Sequence, residues 1–307
     1  MALWFRFPGP DAVRMSASAV FALMACAAIV AQFGSHRVRA LIVFAAIFAG
    51  LLAWWATITP PKKGNWAPDV ARQVTGVIEG DILTLTDVRE FEWRTAEEFT
   101  ENWTTRSYNL SKLQTVDLFL SYWAGPEISH FILSFGFEGD RYLAWSVEVR
   151  REIGTVYSPV ADMFKANSIA FIASAEEDVI GLRSNVRGED VQLFRLRTPP
   201  DEARALLEEY VRDANRLAEK PHWYHSLTTN CTTVIFKMLD AMGTAPPLDW
   251  RIVLNGYLPD FGYERGVVNT DIPLSELRKL GRIAPRAHEA GLGPGFSSAI
   301  RVDVPVP

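Results

Sequence analysis

Two long apolar stretches without a charged residue, 16–33 and 40–58, open the chain. Each approaches the ~20 residues that an α-helix needs to cross a bilayer. Trp54 and Trp55 close the second run, at the height of an aromatic belt, and the polar segment 34–39 separates the two. This pattern predicts a membrane anchor over residues 1–58 built as a two-helix transmembrane hairpin. A secretory signal peptide is the weaker reading, because the second run is nearly as long and no small-residue cleavage pattern precedes it. Basic residues flank both ends of the hairpin, so charge counting leaves its orientation open. The Pro-Pro, Gly and Lys residues that follow cannot continue a membrane helix, and 59–65 reads as a linker.

From about residue 66 the pattern changes. Alternating or short apolar runs at 82–93, 113–123, 130–137, 141–149, 168–173 and 191–197 predict strands. Helical signals fall between them. Ser174 with Glu177 has the spacing of a capping box. Pro199 and Pro200 introduce a long helix whose buried face is Ala203, Leu206, Leu207, Tyr210, Val211, Ala214 and Leu217. Another helix is expected from about Cys231 to Met242, with Thr228, Thr229 and Asn230 as cap candidates and Gly243 as its stop. The expected body is an α+β domain over 66–285 with an antiparallel sheet and packed helices, and 286–307 reads as a loose tail.

Composition narrows the function. The 307 residues carry 31 basic and 36 acidic side chains, a net charge of −5, which excludes a chain built to coat nucleic acid. With only Cys26 and Cys231, neither a disulfide framework nor a cysteine-based metal site is available. Cys26 lies in the first apolar run and reads as a small apolar filler. His222 and His225 form an H-x-x-H pair without further ligands, so neither a metal nor a cofactor is expected.

The candidate chemistry centres on Cys231. At the start of a helix a thiol gains from unpaired backbone N–H groups and the helix dipole, which favour the thiolate. Alternatively, Cys231 is simply the first member of the apolar face it shares with Val234, Ile235 and Met238. A partner base decides between the two. His130 begins the strand HFILSFGF, on the face of Ile132 and Ser134. If Glu138-Gly139-Asp140 is a three-residue hairpin loop, Phe137 pairs with Arg141, Phe135 with Leu143 and Leu133 with Trp145, and Glu148 falls opposite His130. A two-residue turn would shift the register by one and mix the faces. A carboxylate beside an imidazole fixes the tautomer and stabilises the imidazolium formed when a thiol loses its proton. Cys231, His130 and Glu148 are therefore the candidate triad. His225, six residues before the cysteine, competes as base without any element to hold it there. Arg150 and Arg151 are either a solvated strand end or anion holders, Asn230 is a cap or an oxyanion donor, and Tyr224 a buried aromatic or a similar donor.

The blocks WAPDVA, EISHFILSFGF, YLAWSVEVRREIG-VYSP and YHSLTTNCTT resemble the Lnb N-terminal periplasmic domain family, whose namesake is a lipoprotein N-acyltransferase. A strand histidine that precedes the helix-N-terminal Asn-Cys is also similar to the circularly permuted branch of the NlpC-type papain-like superfamily, which includes lecithin:retinol acyltransferase. The resemblance implies a permuted papain-like fold, Cys231 as nucleophile, His130 as base and Glu148 as third partner. Arg150, Arg151, Tyr224 and Asn230 carry over only as motif neighbours that would contact substrate or an oxyanion. It further implies a soluble domain on the periplasmic side of the inner membrane and an acyl-thioester mechanism on lipid or lipoprotein substrates. A cell-envelope cysteine hydrolase and a non-catalytic, membrane-anchored binding module are the alternatives.

Overall fold

The computed structural model describes residues 1–123 and 125–307. A short helix α1 (Ala2–Arg6) precedes α2 (Asp11–Ala31) and α3 (Arg37–Thr57). These last two have 21 residues each, about 31 Å at 1.5 Å per residue, which matches the hydrocarbon thickness of a bilayer. Every residue of both is at least partly exposed, and they lie side by side, with Phe21 against Phe44 and Phe48. Both begin earlier than the apolar runs. Asp11 occupies the first turn of α2, where a carboxylate suits the dipole, and Arg37 and Arg39 belong to the first turn of α3 instead of the hinge.

The body carries strands β1 (Thr75–Glu79), β2 (Ile82–Arg89), β3 (Glu92–Trp93), β4 (Phe99–Thr100), β5 (Trp103–Asn109), β6 (Leu113–Tyr122), β7 (Ser129–Phe137), β8 (Arg141–Arg150), β9 (Ser168–Ser174) and β10 (Asp190–Leu196). Its helices are α4 (Pro159–Asp162), α5 (Glu176–Gly181), α6 (Pro200–Glu219), α7 (Thr233–Ala241), α8 (Leu258–Glu264), α9 (Leu274–Gly281), α10 (Ala284–Ala290) and α11 (Phe296–Ala299). An eight-stranded sheet runs in the order β1-β2-β9-β8-β7-β6-β10, with β5 also on β2, while β3 and β4 form a separate ribbon. The sheet is mixed where an antiparallel one was expected: β2 meets β9 in parallel at Arg89 and Ser174, and the remaining ladders are antiparallel.

Alternation along β7 sends Phe131, Leu133, Phe135 and Phe137 into a core with Leu206 and Tyr210 of α6 and Val234 and Ile235 of α7. Ile132 points the other way, into a second core closed by Val179 and Ile180 of α5, Ala287 of α10 and Phe296 of α11. Helices cover both faces, so β7 is buried throughout except at His130. The predicted face of α6 is its buried face, residue for residue.

Three local expectations are corrected. Helix α5 takes Ala175 as its N-cap, and the Ser174 hydroxyl donates to the Ala175 carbonyl, so no capping box forms. Helix α7 starts at Thr233 with Thr232 as N-cap, which leaves Cys231 just ahead of it instead of inside its first turn. The segment 286–307 is no loose tail, and the body extends past residue 285. Phe296 and Ile300 are fully buried, and the Arg301 guanidinium lies 3.7 Å over the Tyr142 ring. Arg301 also donates to Asp117 at 2.8 Å and to Glu176 at 2.7 and 2.6 Å. Charges this deep are tolerated only when fully paired, so the network holds the C-terminal segment against the sheet. Replacing Phe296 by Ala is expected to cost about 3–5 kcal/mol, read as a lowered denaturation midpoint of the solubilised protein; an unaltered midpoint would mean that the segment is not docked.

Candidate active site

The register of the β7–β8 hairpin is the one that places Glu148 beside His130. Phe137 pairs with Arg141, Phe135 with Leu143, Leu133 with Trp145 and Ile132 with Ser146. Beyond that last pair the side chains make the contact. His130 Nε2 lies 3.2 Å from Glu148 Oε1. Ser146, one pleat away on the same face, bridges them: its hydroxyl lies 2.7 Å from Nε2 and donates to Glu148 at 2.6 Å. With Nε2 held there, Nδ1 is the nitrogen left for another partner. The carboxylate also accepts from Arg183 Nη2 at 2.9 Å. Arg183 sits in a π-turn over Leu182–Val186 that continues α5, a rare geometry that recurs at functional sites.

Cys231 reaches the same place from a different part of the chain. Asn230 Oδ1 accepts from the N–H groups of Thr232 and Thr233 at 3.0 and 2.9 Å, and its Nδ2 donates to Ser226 O at 2.7 Å. Its side-chain oxygen thus satisfies the unpaired N–H groups at the start of α7. Asn255 then ties the cysteine's neighbour to the histidine's. Its Oδ1 accepts from Ser129 N at 2.8 Å, and its Nδ2 donates to Ser129 O at 2.7 Å and to Thr232 Oγ1 at 2.8 Å, with Cys231 Sγ at 3.9 Å. The following residue must be glycine, because a Cβ at Gly256 would fall 2.0 Å from the Pro126 carbonyl oxygen.

The protonation equilibria of the three groups are linked. Burial and the Arg183 charge push the His130 imidazolium down, but the Glu148 charge and hydrogen-bonding interactions with Cys231 and Glu148 prevail and raise it to about 9. For the Cys231 thiol, burial acts upward, and the His130 hydrogen bond and charge, the Phe131 amide and the Thr232 hydroxyl bring it below its ordinary value. Burial also opposes ionisation of Glu148, yet the charges of His130 and Arg183 with the His130 and Ser146 hydrogen bonds hold it well below the usual carboxylate range. These shifts favour a thiolate–imidazolium pair beside a carboxylate.

Cys231 is buried at 7% exposure, while His130 and Glu148 keep 15% and 18% of their side chains open. They face a cleft of about 930 Å³, also lined by Asn230, Tyr224 and Arg151. Arg151 donates to Asp69 at 2.9 Å and stays partly exposed. Burial is the main cause of the raised Tyr224 hydroxyl. Arg150 does not belong to the cleft: it donates to the carbonyls of Val70 and Ala71 at 3.1 and 2.6 Å and stacks on Trp66, so it braces the segment before β1. His225 also lies outside the cleft lining, its Nδ1 accepting from Leu227 N at 3.2 Å. Among the described residues no His, Cys, Asp and Glu cluster could hold a metal ion. Ser146, Arg183 and Asn255 are the site residues that the motifs did not point to; the period-2 spacing of Ser146 from Glu148 was a usable signal, whereas Arg183 and Asn255 arrive through tertiary packing alone.

A family model described as the Lnb N-terminal periplasmic domain matches residues 99–256, just over half of the chain. No curated protein gives a significant match, nor does any solved structure. The chain belongs to the Lnb N-terminal periplasmic domain family, here preceded by two helices long and apolar enough to cross a membrane.

Alkylation of Cys231 by iodoacetamide, followed by peptide mass spectrometry across pH, is expected to show an apparent midpoint below the ~8.5 of a free thiol. His130→Ala should move the midpoint upward, and a midpoint at the free value in the unaltered protein would contradict the linkage. Asn255→Leu should lower the alkylation rate at neutral pH by about tenfold, because an apolar side chain cannot hold Ser129 and Thr232 together; an unchanged rate would mean that the clip is not needed.

Proposed function

We propose that the protein is a membrane-anchored, cysteine-dependent acyltransferase of the bacterial cell envelope that works through an acyl-thioester. The observation that carries this reading is the convergence of Cys231, His130 and Glu148 at one cleft, with a lowered thiol and a raised imidazole. In the first half-reaction the Cys231 thiolate attacks the carbonyl carbon of an acyl ester and forms a C–S bond. The His130 imidazolium then gives its proton to the departing alkoxide as the C–O bond breaks, leaving a thioester and a neutral imidazole. In the second, an amine attacks the thioester, His130 accepts the proton from nitrogen, and the thiolate leaves as an amide forms. Glu148 orients the ring and stabilises its charged form throughout, as the acid of a Ser-His-Asp triad does. The backbone N–H of Cys231 has no hydrogen-bond partner among the described residues and is a suitable donor for the developing oxyanion.

The hairpin fits this assignment by confining the cleft to the layer where lipid esters and lipoprotein N-termini reside, which raises their effective concentration. We assign the anchor to the inner membrane as a two-pass hairpin, with the body in the periplasm in keeping with the family's description. No cofactor takes part in this scheme. The permuted papain-like arrangement implied by the strand histidine and later cysteine belongs to the same proposal.

Mass spectrometry of the protein purified from membranes is expected to find an acyl adduct on Cys231 that hydroxylamine removes, and none on Cys231→Ser; absence of the adduct together with unchanged lipoprotein N-terminal acylation in Cys231→Ser cells would overturn the reading. An adduct resolved only by water would make the protein a hydrolase. Glu148→Gln should lower the rate of thioester formation by about 10²–10⁴-fold and shift the alkaline limb of its pH profile below 9; a lowered rate with an unmoved limb would assign Glu148 a structural role only.

A further inference from the structure

The mouth of the cleft is apolar and open to solvent. Trp123, Tyr157, Val160, Leu227, Val253 and Leu254 line it from four separate segments, each 37–48% exposed, with Trp123 edge-on to Tyr157 at 6.0 Å. Val156 and Leu248, near them in sequence, are almost wholly exposed. A soluble surface rarely concentrates apolar side chains in this way without a partner to cover them.

The contacts between body and hairpin identify that partner. Lys165 Nζ donates to the carbonyls of Trp55 and Ile58 at 2.6 and 3.1 Å, and Trp223 Nε1 donates to Ile58 O at 3.2 Å. Phe164 stacks on Phe5 at 5.5 Å, and Arg6 lies over the Trp223 ring at 5.0 Å. One stretch of chain therefore serves both places: Pro159, Val160 and Met163 line the cleft, and of the next two residues Phe164 stacks on α1 and Lys165 grips the end of α3. The Trp54–Trp55 pair at the end of α3 marks the depth of the membrane interface. Because Lys165, two residues after Met163 of the cleft wall, bonds the Trp55 carbonyl directly, that wall is tied to the end of α3.

We propose that this rim is a bilayer-docking surface: in the anchored protein the six rim side chains enter the interfacial layer of the leaflet from which α3 emerges, and the cleft opens onto lipid instead of water. Insertion of such a surface typically reaches about 5–10 Å into the headgroup and acyl boundary. The occupant is a lipid surface in preference to a second protein because the rim is continuous with the membrane-spanning hairpin and combines Trp and Tyr with aliphatic residues, the composition of an interfacial anchor. It follows that a membrane-resident amphiphile can pass an acyl chain into the cleft without crossing water, a consequence that rests on the acyl-transfer reading, whereas the docking itself does not.

The test uses the full chain with Cys26→Ser and Cys231→Ser, reconstituted in phosphatidylcholine/phosphatidylglycerol vesicles and spin-labelled through Leu227→Cys, Leu254→Cys or, as a control on the exposed edge strand β1, Val77→Cys. Accessibility to oxygen relative to a water-soluble nickel chelate should be at least about fivefold higher at positions 227 and 254 than at 77, in keeping with the partition of the two relaxants between hydrocarbon and water. Equal ratios at all three positions would overturn the proposal. So would protection of the rim positions by a second copy, seen as dipolar broadening that dilution with unlabelled protein relieves. No chemistry enters this readout, so its failure leaves acyl transfer standing, and absence of a thioester leaves the docking standing.

Discussion

The side chain of Asn255 ties together two pieces of chain that also share the apolar core between β7 and α7. Its carboxamide satisfies the backbone of Ser129 on one side and the hydroxyl of Thr232 on the other, and each is the immediate neighbour of a candidate catalytic residue. A buried amide is expensive to leave unpaired, so the arrangement in which all these bonds are made is strongly preferred over any in which β7 and α7 slide apart. The clip thereby holds the backbone beside the sulfur and the backbone beside the imidazole to one another. Asn230 performs the local counterpart, holding the residues after it so that the helix begins just beyond Cys231.

The electrostatics follow from that placement. Burial alone would keep all three groups neutral, and in each case paired charges overcome it. Arg183 is the counterweight: it steadies Glu148 and at the same time disfavours the charged imidazole, so His130 stays within a range where proton exchange remains feasible. Removing any one member shifts the balance of the others, which makes the apparent values properties of the cluster.

How much of this was legible depended on whether the controlling contacts were local. The β7–β8 register followed from the three-residue loop and from face matching of Phe135 with Leu143 and Leu133 with Trp145, because one residue of slip would have mixed the two faces. The face of α6 followed from a period of 3.6. By contrast, the start of α7 was misplaced by two residues, since Asn230 caps from outside the helix through an Asx-type turn. The docked C-terminal segment lacks periodicity and is held by Arg301 against Asp117 and Glu176, partners more than a hundred positions away. The parallel junction of β2 with β9 and the π-turn that delivers Arg183 are likewise products of tertiary packing. Arg150 shows the converse error: a charged residue beside a motif looked available for substrate, and the structure spends it on two carbonyls and a tryptophan.

The short segment 159–165 connects the anchor with the cleft: Pro159, Val160 and Met163 line the cleft that holds Cys231, and Lys165 bonds the end of α3. The chemistry proposed for the cleft depends on the ionic state of Cys231 and His130. Nitrogen-15 NMR of the full chain with labelled histidine reads that state without any substrate: the account predicts that at neutral pH the His130 ring carries both protons and titrates near 9. A neutral His130 ring titrating near the ordinary ~6.5 would contradict it.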